Sequence, residues 1–122
     1  MKKITLSIVI LSTLLLSGCA QRVVDFTLAS TKNVELNNGN FVTGSRVIGK
    51  DTKAIVLFPM GVPSLKEASD QAIEKDKCAV ALSNVTGDYE YFSFIFGYQK
   101  YQVEGDLVID KSLPGCSNWT RK

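Results

Sequence analysis

Histidine is absent from all 122 residues. Its absence removes the usual general base near neutral pH and the commonest transition-metal ligand, so Ser-His-Asp and Cys-His catalysis are excluded. Cysteine is scarce: Cys19, Cys78 and Cys116 are the whole set, and no CxxC spacing points to zinc or dithiol redox work. There is no basic excess of the kind a phosphate backbone demands, since 14 Lys and Arg face 12 Asp and Glu without any basic run. Nucleic acid is therefore discounted as a partner. The chain contains no internal repeat, and its one biased segment, Asn37-Asn38-Gly39-Asn40, reads as a turn. These absences describe a chain that is not an enzyme, with no cofactor and no metal site.

What is present begins at the N-terminus. Lys2 and Lys3 precede an apolar run over residues 4–16, and the small pair Ser17-Gly18 stands before Cys19. This is the order of a signal peptide, and the run is shorter than the roughly 20 residues that a bilayer-spanning helix needs. A plain N-terminal membrane helix is the alternative reading.

The segment Leu16-Ser17-Gly18-Cys19 resembles the lipobox of bacterial lipoproteins. The resemblance implies that residues 1–18 are a lipoprotein signal peptide and that Cys19 is the lipidation site and the first residue of the mature chain. Residues 19–22 would then form a lipidated tether, and residues 23–122 a single small envelope domain. Palmitate-type chains contribute about 0.8 kcal/mol per buried CH2, so the several chains typical of the class make a durable anchor. Ala20 after the cysteine, rather than Asp, implies the outer membrane, with the domain facing the periplasm. Loss of Lys2 and Lys3 with the leader brings the basic residues level with the 12 acidic ones. The partners implied are the membrane, through Cys19, and an envelope protein; no oligomeric state follows from the sequence.

An envelope compartment is oxidising, so Cys78 and Cys116 can form one disulfide fastening the C-terminal tail. The other arrangement is a buried free Cys78 in a strand with a loose Cys116. Trp119, close to Cys116, either packs where such a bond holds the tail or lies in a disordered end.

Composition and spacing predict an α+β fold, a mainly antiparallel sheet with one helix packed on one face, in the order β-β-β-α-β-β-β. Residues 23–29 and 40–49 are rich in β-branched and aromatic side chains, and the continuous apolar run 54–60 suggests a strand buried on both faces and ended by Pro59. Leu65, Ala68, Ala72 and Ile73 set one apolar stripe on a helix over 65–75. Ser64 and Glu67 have capping-box spacing at its start. Strands follow at 79–85, 89–96 and 100–109, with turns at Thr86-Gly87-Asp88 and Gly97-Tyr98-Gln99. From Gly61 to Gly105 the order Gly-x-Pro-Ser, then Glu67, Ala68 and Ala72, then Asn84-Val85, Phe96-Gly97 and Val103-Glu104-Gly105 resembles small bacterial lipoproteins. It is also similar to the TRL-like family, which implies the same helix and hairpin and no catalytic residues.

A three-residue turn at 97–99 pairs Phe96 with Lys100, sets Tyr91 over Gly105, and brings Glu90 opposite Asp106 beside Glu104. Those carboxylates are either a solvated face or part of a cation site, although no glycine-punctuated Asp loop supplies further oxygens. Phe92, Phe94 and Phe96 share that face, either covered by another layer or forming a binding surface, with Tyr98 exposed at the tip. Two functions emerge: a non-enzymatic, membrane-anchored interaction or accessory domain, and alternatively a small-ligand or cation sensor using this acidic and aromatic hairpin.

Overall fold

The computed structural model describes residues 19–37 and 39–121. In chain order the elements are β1 (Cys19–Ala29), β2 (Phe41–Val56), β3 (Phe58–Pro59), α1 (Leu65–Ile73), β4 (Ala79–Ser93) and β5 (Phe96–Asp110). The sheet runs β1-β4-β5-β2-β3, and every neighbouring pair is antiparallel. This is a sheet-dominated α+β fold built on four long strands, with β3 a two-residue edge.

The expected three strands before and three after the helix are replaced by fewer, longer ones. Residues 40–49 and the start of 54–60 belong to one strand, β2, because the polar Lys50–Lys53 stretch keeps extended pairing with residues 99–102 of β5. Thr86-Gly87-Asp88 is not a turn but lies inside β4, paired with both β1 and β5. Irregularity is confined to bulges, one of them between Ser83 and Thr86, where Asn84 adopts φ 49°. Asn tolerates that left-handed conformation better than most residues, so the strand bends there without ending. Residues 19–22, read as a tether, are the first part of β1, where Cys19 pairs with Tyr91.

One face of the sheet carries α1, which lies over β2, β5 and β4. Ala68, Ala72 and Ile73 of the helix meet Leu82, Val85, Val103, Leu107 and Ile109 in one buried cluster. Small residues on both sides permit the close approach. A Cβ on Gly49 would lie 1.9 Å from the Ala68 carbonyl oxygen, so β2 passes directly beneath the helix backbone. Cys78 and Cys116 are disulfide-bonded inside this cluster, which resolves the two cysteine arrangements in favour of the bond. Trp119 packs against the same cluster and donates from Nε1 to Asp76 Oδ2 at 2.7 Å.

The helix cap is shared between elements. Ser64 Oγ accepts from the Glu67 amide at 3.5 Å, but the Ser64 amide donates to Asp51 Oδ2 at 2.7 Å, not to Glu67. Asp51 therefore takes the part that the capping box assigns to the glutamate, tying the helix start to β2. The Lys53 ammonium 2.9 Å away, and then the Ser64 amide, hold the Asp51 carboxyl below the ordinary carboxylate range. A depressed carboxyl stabilises the fold above its unfolded pKa, and that contribution is lost as pH falls through the folded value. Asp51→Asn keeps an acceptor for Ser64 and removes the charge, at an expected cost of about 1 kcal/mol at neutral pH. In paired thermal melts the gap between variant and wild type should begin to narrow as pH falls below about 4, the ordinary carboxyl range, and close only below the depressed folded value of Asp51.

Candidate functional site

Cys19 opens β1 with its thiol free and exposed. Pairing of Cys19 with Tyr91, Ala20 with Glu90 and Gln21 with Tyr89 lays this residue along the sheet edge. A hollow of about 60 Å³ beside it is lined by Cys19, Ala20, Glu90, Tyr91 and Tyr98. Arg22 bonds Asp88 at 3.3 Å, which holds the first residues of β1 against β4.

The β4–β5 hairpin turns earlier than the sequence suggests. Ser93 pairs with Gly97, Tyr91 with Gln99 and Tyr89 with Tyr101, so the turn is Phe94-Ile95-Phe96 and Tyr98 lies within β5 opposite Phe92. The expected register fails throughout. Tyr91 does not lie over Gly105; a Cβ there would instead meet Ser83 O, Leu82 Cβ and Val85 Cγ2 between 3.1 and 3.3 Å. Glu90 sits opposite Lys100 rather than Asp106, with an Oε2–Nζ distance of 2.7 Å.

This register takes Glu90 away from Glu104 and Asp106, which stay together on one arginine. Arg46 from β2 reaches Glu104 at 2.6 Å and Asp106 at 3.4 Å, and Asn84 Nδ2 donates to Asp106 at 3.0 Å. The Lys100 ammonium, then the Tyr98 hydroxyl, keep the Glu90 carboxyl low; Asn84 and then Arg46 do so for Asp106. Each acid has a cationic partner, and among the described residues no group of three His, Cys, Asp or Glu side chains converges on a metal position. The outer sheet face carries a set of partly exposed ion pairs, of which Lys100–Glu90 is the most covered, and such pairs near the surface contribute modestly.

Among the four aromatics singled out by sequence, Phe92 and Tyr98 stack obliquely with centroids 6.3 Å apart, and Lys100 Nζ stands 5.9 Å from the Tyr98 centroid. Phe94 and Phe96 project from the turn, 83% and 66% exposed. Among the described residues no layer covers them. Beside them lies a second apolar turn that the sequence reading placed inside a buried strand: Val56, Leu57, Phe58 and Met60 are exposed, and only Ile55 of the run is buried among residues 54–60. The two turns are joined, since the Leu57 amide donates to the Ile95 carbonyl at 3.2 Å and Val56 pairs with Phe96. The signal that could have located this tip is the uncharged composition of residues 54–65 and 91–99, interrupted by no Lys, Arg, Asp or Glu.

At the other end of the sheet a groove of about 380 Å³ is lined by Leu28, Val34, Leu36, Phe41, Ala81 and Val108, with Ser30 and Lys32 at its border. No described helix is long and apolar enough to cross a membrane. No family model, curated protein or solved structure matches the chain.

Proposed function

We propose that the chain is a non-enzymatic envelope lipoprotein whose lipid is carried by Cys19 and whose α+β domain serves as an interaction or accessory module at the outer membrane, facing the periplasm. The observation that carries the reading is the order Lys2-Lys3, an apolar run, then Ser17-Gly18-Cys19. Supporting it, the Cys19 thiol is exposed and unbonded, while the other two cysteines are bonded to each other as an oxidising compartment favours. The likeness to small lipoproteins and the TRL-like family rests on the cap, helix and hairpin residues between Gly61 and Gly105 and adds no catalytic role. The alternative, a small-ligand or cation sensor on the acidic and aromatic hairpin, is the weaker reading, because Glu90, Glu104 and Asp106 are engaged by Lys100 and Arg46.

Cys19→Ser removes the only thiol available to take a lipid. Cells producing it with labelled palmitate should show an unlabelled, uncleaved precursor, whereas the unaltered chain is labelled and shortened. A variant that incorporates the label at normal size would refute the assignment.

A further inference from the structure

We propose that the two joined turns, residues 56–58 and 94–96, form a membrane-docking tip that enters the lipid surface on which the chain is anchored. This inference rests on the anchoring reading above.

The tip combines features that a water-facing turn avoids. Leu57, Phe58, Met60 and Phe94 are each at least 70% exposed, and they adjoin Val56, Ile95 and Phe96 in one apolar surface. Isolated exposed apolar residues are ordinary, but a contiguous set on two adjoining turns marks a docking surface. Leu57 is also held at φ 61°, where a side chain other than Gly, Asn or Asp is disfavoured.

Position selects a membrane as the occupant. The apolar run 4–16 enters the described domain at Cys19, and Cys19 pairs with Tyr91, only three residues before Phe94. At about 3.3 Å per strand residue, the turn stands about 10 Å beyond the anchoring thiol. Interfacial apolar groups sink roughly 5–10 Å into the headgroup and acyl boundary, so a cysteine at headgroup level brings the turn into the upper acyl region. Either reading of residues 4–16, lipoprotein leader or membrane helix, puts the bilayer at this end. The charged groups begin one level back, with Glu90 bonded to Lys100 and Asp51 bonded to Lys53. Tyr91 is level with Lys53, since both pair with Gln99, and Tyr98 lies one step nearer the apolar turns; both rings are half exposed, at the boundary where interfacial aromatics collect.

The test uses the full chain processed in a bacterial host, purified in detergent and reconstituted into phosphatidylethanolamine and phosphatidylglycerol vesicles containing lipids brominated near the top of their acyl chains. Phe94→Trp adds a reporter at the tip. Trp119 serves as the internal control, because it packs beside Asp76 and its neighbour Arg121 bonds the Thr43 and Gly44 carbonyls, near the opposite end of β2. The expected result is loss of most of the added emission with a blue shift, and unquenched Trp119 in the unaltered protein. Leu57→Asp in the reporter background should weaken the quenching and leave palmitate labelling and the thermal melt unchanged. An unquenched reporter on protein that floats with the vesicles and carries lipid would overturn the docking tip and leave the anchor standing. An unquenched reporter with a doubled particle mass would assign the tip to a second copy and overturn the proposal equally. A chain that carries no lipid and does not float overturns both readings.

Discussion

Gly49→Val is expected to destabilise the domain by about 3 kcal/mol or more, because the clash it creates is with backbone and no side-chain rotamer relieves it. A Cβ at this position lies 1.9 Å from the Ala68 carbonyl oxygen and 2.7 Å from the Ala72 amide nitrogen. To admit it, α1 must rise from β2, and the rise opens the contacts of Ala68, Ala72 and Ile73, all fully buried. The cap suffers with it, since the bond from the Ser64 amide to Asp51 spans the same helix–strand gap. At about 4–8 °C per kcal/mol for a domain of this size, the midpoint should fall by at least roughly 12 °C. Gly115→Ala is the control: its Cβ meets nothing within 4 Å, and only the φ of +79° opposes it. That backbone cost is about 1–2 kcal/mol. Equal melting midpoints for Gly49→Val and wild type would remove the helix from its position over β2.

Replacing both Cys78 and Cys116 by alanine should cost about 4 kcal/mol. The bond closes a loop with a sequence separation of 38, and the chain-entropy relation for a loop of that length gives about 4 kcal/mol. Alanine is preferable to serine here, since both positions are at most 2% exposed and a hydroxyl would be buried among apolar neighbours. The loss has a local signature too. Beyond β5 the chain is held by short backbone turns, the disulfide, the Trp119–Asp76 bond and the Arg121 contacts. Without the disulfide, Trp119 emission should shift to the red at temperatures below the main transition. A single unchanged transition with unshifted emission would show that the tail does not depend on the bond.

The helix is legible because it rests on local rules, whereas the disulfide, between residues separated by 38, stays one of two arrangements until the fold brings Cys78 and Cys116 together. A stripe of Leu65, Ala68, Ala72 and Ile73 at helical spacing, with a serine cap, can hardly be anything but an amphipathic helix. The helix stops at Ile73 rather than Lys75, with Glu74 at the cap. Strand boundaries were misread where glycine and apolar residues serve purposes other than the usual ones. Gly87 suggested a turn, yet a Cβ there would sit 3.3 to 3.4 Å from Val24 and Leu65, so glycine provides room under neighbouring side chains inside a continuous strand. The real turn, Phe94-Ile95-Phe96, carries no turn residue between its flanks and reads as strand by propensity. That shifted the hairpin register and with it the imagined grouping of Glu90, Glu104 and Asp106. The run 54–60 failed in the same way: continuous apolarity signals burial in water, but Leu57, Phe58 and Met60 are exposed. Both errors fall on the proposed membrane tip, where the burial rule for a water-facing surface does not hold.

Anchoring through Cys19 is the claim on which the rest depends, and the N-terminal peptide of the membrane-extracted protein tests it most directly. Trypsin cuts after Arg22, so a processed chain should release residues 19–22 as a tetrapeptide whose mass exceeds that of Cys-Ala-Gln-Arg by a diacylglyceryl group and an amide-linked acyl chain. Recovery of residues 4–22 as one peptide with an unmodified Cys19 would contradict the account.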